Sequence, residues 1–599
     1  MSRPRTLQEL LHWAELGGGA RLIRIAAVVA GALALSLVVA WKQFHGPVSE
    51  VTLVQADTAR QLAAGQGFTT LVNFPQTAAT LERRGIRFDP QRPYPELHHA
   101  PLYSITIAGA LRLLPEGKRA GLFASAPVSP DGFAGDYFLL GLNLLLLWLA
   151  AWQTFLLGRK LFEPRVGWLA ALALLLSATI WRETVAVNGV PLLMVLGLAA
   201  FSVWTDIERA AETTAGARAP AGRWFALGAV CGLLWLAEYA AGTLGLVALG
   251  YAAARFGGRA RVLGIVCLTL GFAAVGGPWM ARNISLTGHP VALAAHNVAL
   301  KSGDATAEPA AARATFSAEA PALDLTKLAN KTLTSLQENL RAKIWSGGAM
   351  WFAAFFATGW LYAFRGATAN RLRWVFTVAL AVLLVAQAAL NSGETERPAA
   401  VWLAPLVLVF GAAFFFVLVG SNVALAHWPR AAAAGLLLLQ ALPLLRDALE
   451  PRRLHFQYPP YYPALFMGLR QDLERRGAAD RFGLMTDVPA GLAWYGQTRA
   501  WAQPPRLRDL HVIAAEQPIG ELLLTPRVLA RPFFSELGAR MVARSGAEAV
   551  PARFGEWGEV YAGLLTGRMP PDFPLGQPLR LADSLFVLQN PALPPRRGK

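Results

Sequence analysis

Apolar runs close to the thickness of a bilayer recur from Leu22 to Leu445, and this constrains the fold more than any other feature. Ile23–Trp41, Tyr137–Leu157, Val262–Met280, Trp374–Leu390 and Val401–Val419 are examples. Hydrocarbon offers no hydrogen-bond partners, so each run must satisfy its own backbone as a helix. None has the alternation of a barrel strand. Composition agrees: 54% of the 599 residues are apolar and only 16% charged, where a soluble chain carries about a quarter charged residues. The expected architecture is an α-helical polytopic membrane protein with about eleven spans, followed by a small C-terminal α/β domain in water.

A net charge of +17 raises the question of nucleic acid. The basic residues are spread through short loops instead of being pooled in one domain, so the positive-inside rule accounts for them and no nucleic-acid partner is expected. With the N-terminus inside, the inner loops hold Arg159, Lys160 and Arg165, then Arg209, Arg218 and Arg223, then Arg255, Arg259 and Arg261, then Arg365, Arg371 and Arg373, and last Arg430. Short outer turns carry Glu183, Glu238, Glu394 and Glu396 instead. The three long segments, 42–136, 283–343 and the part after about Leu445, all fall outside, which makes the extracytoplasmic face the working one. The expected division is a membrane unit over 1–446 and an outer unit over 447–599. In that outer unit Arg481–Thr486 and Ser584–Gln589 read as strands, Glu521–Leu524 as a weaker one, and Phe534–Ser545 as a helix. Only Cys231 and Cys267 occur, both in apolar runs, which gives neither a disulfide framework nor a zinc ribbon. The first apolar run is too long for the core of a cleaved signal and reads as a retained helix.

Three outer stretches can carry chemistry. If Glu50–Ala64 is helical, Glu50, Asp57 and Gln61 share a narrow stripe, and Gly65-Gln66-Gly67 stops the helix. A carboxylate at a membrane–water boundary serves as a general base when partial burial raises its pKa; the plainer reading is the solvated face of an interfacial helix. In Pro93–Tyr103 the adjacent His98 and His99 suit a phosphate better than a metal, since neighbouring residues share no helical face and no further ligand stands at metal spacing. Incidental loop histidines are the alternative. After Pro278 and Trp279, read as ending a span, Arg282 emerges as a fixed cation for phosphate or as an interfacial anchor. Glu183 and Glu238 either line a cavity or are ordinary turn residues. No P-loop, GxGxxG, GxSxG or HExxH is present.

Ala59-Arg60-x-Leu62-x-x-Gly65-x-Gly67-Phe68, then Ala100-Pro101-Leu102, then Pro278-Trp279-x-x-Arg282-Asn283-x-x-x-x-Gly288-x-Pro290 stand in order on the outer side. Together they resemble the membrane-embedded GT-C glycosyltransferases, closest to the bacterial branch of protein O-mannosyltransferases and aminoarabinose transferases. Asn143–Trp204, Asp487-Val488-Pro489 and Leu492-Ala493-Trp494-Tyr495 share that texture, so the resemblance covers roughly residues 20–500. It implies an inverting transferase that uses a polyprenyl-phosphate sugar on the outer face of a bacterial inner membrane. The acceptor would be a lipid, glycan or protein. No nucleotide sugar, cofactor or obligatory metal is implied. Glu50 or Asp57 would be the base, while Arg282 with His98 or His99 would neutralise the phosphate. The chain departs from the family pattern in placing Val51 at the acidic position, Gln55 at the aromatic one and Asn188 where many relatives have Asp. A catalytically inactive binding or assembly subunit of the same fold is therefore the first alternative, and a lipid or solute transporter the second.

Overall fold

The computed structural model describes residues 18–595 apart from 48, 87–88, 90–91, 125–131, 214–219, 299–312, 317–323, 344–349, 391–399, 451–462, 526–555, 569–572, 577 and 583–584. The expected helix Phe534–Ser545 and the residues Arg218, Glu394 and Glu396 lie outside the described residues.

The helices that place the site are, in chain order, α1 (Gly18–Gln43), α2 (Glu50–Ala63), α3 (Pro75–Arg83), α4 (Leu102–Arg112), α5 (Ala134–Leu161), α6 (Pro164–Leu175), α7 (Ala178–Val185), α8 (Val190–Thr213), α9 (Ala221–Ala237), α10 (Thr243–Arg255), α11 (Gly258–Thr287), α12 (Ala367–Leu390), α13 (Ala404–Ser421) and α14 (Pro429–Leu449). Among the described residues seven helices are long and apolar enough to cross a membrane, with α6 and α7 an eighth, broken span bent by 56°. The chain is an integral membrane protein. The expected count is about eleven; beyond these, two shorter apolar helices, α9 and Trp351–Leu361, stand among the described residues. Residues such as Leu22, Ile25, Val29, Leu33 and Leu37 are exposed along α1, a surface suited to lipid.

Local chemistry explains the breaks. At the α6–α7 bend the Ser177 hydroxyl accepts from the Ile180 N–H, and the Trp181 indole donates to the Leu175 carbonyl at 2.6 Å, so orphaned backbone groups find partners. Pro278 does not end its span, contrary to expectation. Helix α11 runs on through it to Thr287 and stops at Gly288, whose φ of 84° is left-handed. The N–H that proline lacks costs one hydrogen bond, and the preceding Gly276 and Gly277 leave its ring room. Arg282 and Asn283 are therefore helical residues. Helices α9 and α11 approach so closely that a Cβ at Gly228 would lie 2.0 Å from the Leu268 carbonyl oxygen, and one at Gly271 2.1 Å from that of Phe225. At the end of the bundle away from the long segments, buried Glu208 is held by Arg371 at 2.5 Å and by the Tyr251 hydroxyl.

The outer unit is built on a six-stranded sheet of order β2-β5-β4-β6-β8-β7, comprising β2 (Val72–Asn73), β4 (Gly483–Thr486), β5 (Ala500–Ala502), β6 (Ile519–Leu524), β7 (Pro578–Ala582) and β8 (Leu585–Gln589). β2, β5, β4 and β6 are parallel, while β8 and β7 are antiparallel additions. Strands β4, β5 and β6 are buried along their whole length, as central parallel strands are. The edge strand β2 comes from the first outer segment, so a boundary at residue 447 does not enclose the whole sheet.

From β4 the chain crosses first to β5 on one side and then to β6 on the other, so β4 ends at a switch point where open α/β sheets usually bind ligands. Here that end docks on the membrane unit. In the turn Leu492–Gly496 the Trp494 indole and the Tyr495 hydroxyl donate to the two oxygens of buried Asp136, in the first turn of α5, at 2.8 and 2.9 Å.

Candidate active site

Helix α2 is the expected carboxylate helix, capped by Ser49 and ending at Ala63 before Gly65 and Gly67, both at positive φ. It does not present both carboxylates to solvent. Asp57 is fully buried: one oxygen takes Arg60 at 2.5 Å, and the other takes the Thr70 hydroxyl at 2.8 Å and the Leu71 N–H at 2.7 Å. Arg60 also donates to the Trp494 and Ala493 carbonyls at 2.9 and 2.6 Å and lies between the Phe123 and Trp494 rings. The expected stripe therefore divides, with Asp57 facing inward as a structural ion pair and Glu50 half-buried in the first turn.

The bonds from Asp57 to Thr70 and Leu71 hold a short ribbon in which β1 (Thr69–Thr70) pairs antiparallel with β3 (Tyr94–Pro95). The Glu96 N–H continues it, donating to the Phe68 carbonyl at 3.2 Å. Arg282 closes the ribbon's end with Nη2, which donates to the Phe68 and Glu96 carbonyls at 3.3 and 3.2 Å, while Nη1 donates to Asn283 at 3.0 Å. The Trp279 and Phe68 rings flank its guanidinium at 4.5 and 5.4 Å. The Trp279 indole donates to the Tyr239 hydroxyl at 3.1 Å, which brings in the turn that starts at Glu238.

Beyond the ribbon, Glu96, His98 and His99 form one buried cluster. Glu96 Oε1 accepts three hydrogen bonds, from the His98 N–H at 2.7 Å, the His99 N–H at 2.9 Å and His99 Nδ1 at 2.9 Å. Glu96 Oε2 and His99 Nε2 are buried and have no partner among the described residues. Burial acts to raise the Glu96 pKa, but His99 and these donors prevail and hold it at about 2, so the group is a carboxylate. His98 Nε2 meets the Thr77 hydroxyl at 3.0 Å, and its ring lies edge-on to Phe74. Burial pushes its pKa well below the ordinary value, with the Arg313 guanidinium adding to the effect, so His98 is neutral. The second outer segment completes the cluster through His296, whose Nδ1 lies 2.7 Å from Gln76 Nε2. Burial also pushes the Tyr239 phenol up to about 12. Among the described residues no three of His, Cys, Asp and Glu are grouped so as to hold a metal ion.

Glu183 and Glu238 occupy different settings. Glu183 belongs to helix α7, where the Asn188 amide donates to it at 2.7 Å. Its turn is fastened to the start of α4, one turn beyond His99, by the Tyr103 hydroxyl, which donates to Asn143 and to the Val187 carbonyl, both at 3.0 Å. Val187 sits at a φ of 55°, costly for a β-branched residue, and the packing around it enforces this. Glu238 is half-buried at the end of α9 and accepts from Gln387 at 3.2 Å. The structure thus draws His98, His99, Arg282 and the turns bearing Glu183 and Glu238 toward the end of the bundle that meets the α/β unit. It adds Glu96, Tyr239 and Thr77, none of them a candidate on sequence grounds. Of the three, Glu96 has a local signal: an acid two and three residues before a His pair stands at the spacing from which a carboxylate reaches both backbone N–H groups.

No family model matches the chain, and no curated protein matches it in sequence. Solved structures match it in fold. ArnT from Cupriavidus metallidurans, bound to undecaprenyl phosphate, superposes with a TM-score of 0.53 at 11% identity, covering 96% of this chain and 99% of that one. The archaeal oligosaccharyltransferase AglB from Archaeoglobus fulgidus, in complex with an inhibitory peptide and a dolichol-phosphate, gives 0.48 at 12% identity over 85% of this chain and 70% of its own. The ArnT likeness shows the fold. It has the two parts expected from the resemblance, a helical membrane bundle and a small α/β unit.

Proposed function

We propose that the protein is a glycosyltransferase that moves a sugar from a polyprenyl phosphate to an acceptor on the extracytoplasmic face, with inversion at the anomeric carbon. The observation that carries this reading is the cluster at the outer end of a GT-C-type bundle: an ionised, half-satisfied Glu96, a His99 with a bare nitrogen, and the Arg282 guanidinium. A lipid-linked phosphate of this class, undecaprenyl phosphate, is bound by ArnT. The orientation, with the N-terminus cytoplasmic, follows the distribution of basic loops, and a bacterial inner membrane goes with the bacterial branch that the sequence resembles.

In this proposal Arg282 faces the leaving phosphate and offsets its charge as the bond to the sugar breaks. Asp57 is not assigned the base, because both its oxygens are bound by the groups that hold the ribbon. Glu50 is the carboxylate of α2 assigned to the lipid, glycan or protein acceptor. Glu183 and Glu238 line the same outer end. Release of labelled sugar from a polyprenyl-phosphate sugar by purified protein tests the proposal. Turnover that falls sharply in Arg282→Gln is expected. Donor binding without turnover over a panel of sugars and acceptors would point instead to an inactive subunit of the same fold.

A further inference from the structure

The orphaned atoms of the cluster carry an inference that rests on the transferase reading and deepens it. An imidazole has two nitrogens, and what one of them touches decides what the other can do. His99 Nδ1 lies 2.9 Å from Glu96 Oε1, an oxygen that already accepts two backbone N–H groups. A carboxylate oxygen can only accept, so Nδ1 carries the hydrogen, and the lone pair of the neutral ring is on Nε2. That nitrogen is buried, with no partner among the described residues, in a residue only 7% exposed. A bare, buried acceptor is costly unless a ligand completes it. A carboxylate that fixes the tautomer of a histidine whose far nitrogen is open is the arrangement that lets imidazole take a proton from a nucleophile.

We infer that His99 is the general base of the transfer, positioned by Glu96, and that Glu50 holds the acceptor without removing its proton. The acceptor hydroxyl or amine attacks the anomeric carbon and gives its proton to His99 Nε2. The new bond to the sugar forms as the carbon–oxygen bond to phosphate breaks. The electron pair of that broken bond leaves on the polyprenyl phosphate, toward Arg282, and Glu96 steadies the imidazolium. The resemblance alone would give both histidines to the phosphate. His98, neutral and bound to Thr77, supplies no cation there, and His99 with its lone pair outward repels a phosphate oxygen unless it is protonated.

Besides Glu96 and His98 in its own segment, the charged or titratable groups around this pair are Arg313 and His296 from the second outer segment, Arg282 from α11 and Tyr239 from the α9–α10 turn. Loss of the Glu96 charge leaves mainly cations there and disfavours the imidazolium.

The test uses full-length protein in detergent or nanodiscs, with labelled polyprenyl-phosphate sugar as donor and pH varied. His99→Gln should lower kcat by about 10²–10⁴-fold and leave the KM for donor nearly unchanged. Imidazole added to His99→Gly should restore part of the rate. Glu96→Gln should lower kcat and move the alkaline-rising limb of the pH profile to lower pH. A raised donor KM with kcat kept in His99→Gln would assign His99 to phosphate and overturn the inference. So would a rate lost in Glu50→Gln and insensitive to His99. No turnover by the wild type would remove the transferase reading, and the base with it, whereas turnover surviving in His99→Gln removes the base alone.

Discussion

Asp57 and Glu96 are both acidic residues of the first outer segment, both buried, and both bonded to backbone N–H groups, yet they are satisfied to different degrees. The two oxygens of Asp57 share Arg60, Thr70 and Leu71, so neither is bare. Glu96 concentrates three donors on one oxygen and leaves the other bare beside a bare imidazole nitrogen. A fully paired buried carboxylate holds a structure together, and a half-paired one marks the place a ligand completes. The two are coupled, since the ribbon that Asp57 fastens is the one that carries Glu96.

The largest effect is expected at Asp57. Asp57→Ala strands Arg60 inside the protein and should cost about 3–5 kcal/mol, loosening the outer unit as well, because Arg60 also binds the 493–494 carbonyls. Thermal unfolding and protease susceptibility measure this. A variant of normal stability but without turnover would return Asp57 to the chemistry and dissolve the contrast. Glu96→Gln keeps the shape and should cost less, about 1–3 kcal/mol, while removing most of the turnover.

The pH dependence sharpens the comparison. Glu96 is held at about 2 against an ordinary 4.5, so the unfolded chain binds more protons between these values. Its contribution to stability is fully present above about 4.5 and is lost as pH falls through about 2. The stability gap between wild type and Glu96→Gln should therefore shrink as pH falls from about 4.5 toward about 2; a gap that keeps growing over that window would show that Glu96 is not an ionised acceptor. The smallest effect is expected for His98→Gln, about 0.5–1.5 kcal/mol for its Thr77 bond with the KM for donor unchanged. A large rise in donor KM would make His98 a phosphate ligand after all.

Much of this organisation is legible in the residues. The apolar runs mark the spans, the two glycines after Ala63 mark the end of α2, and β-rich stretches in the tail correspond to β4, β6 and β8. Pairings across long sequence distances are not legible. Asp136 meets Trp494 and Tyr495 from far along the chain, and a two-residue strand such as β2 has no periodicity to betray its place in the sheet. For the same reason the stripe on α2 shows Glu50 and Asp57 on one face but not that Thr70 and Leu71 fold back to take up Asp57. His98 and His99 are visible as a pair. Their opposite roles follow from Thr77 and Glu96, which reach them only through the ribbon and α3.

The central claim is that a polyprenyl-phosphate sugar places its phosphate at Arg282, with the reacting sugar carbon beside the Glu96–His99 pair. Photo-crosslinking with a polyprenyl phosphate carrying a photoactivatable group beside the phosphate, followed by peptide mapping, tests it most directly. The account predicts labels on Glu96–Tyr103 and Trp279–Asn283 that Arg282→Gln weakens. Labels confined to α1 and α14, unaffected by that change, would contradict it.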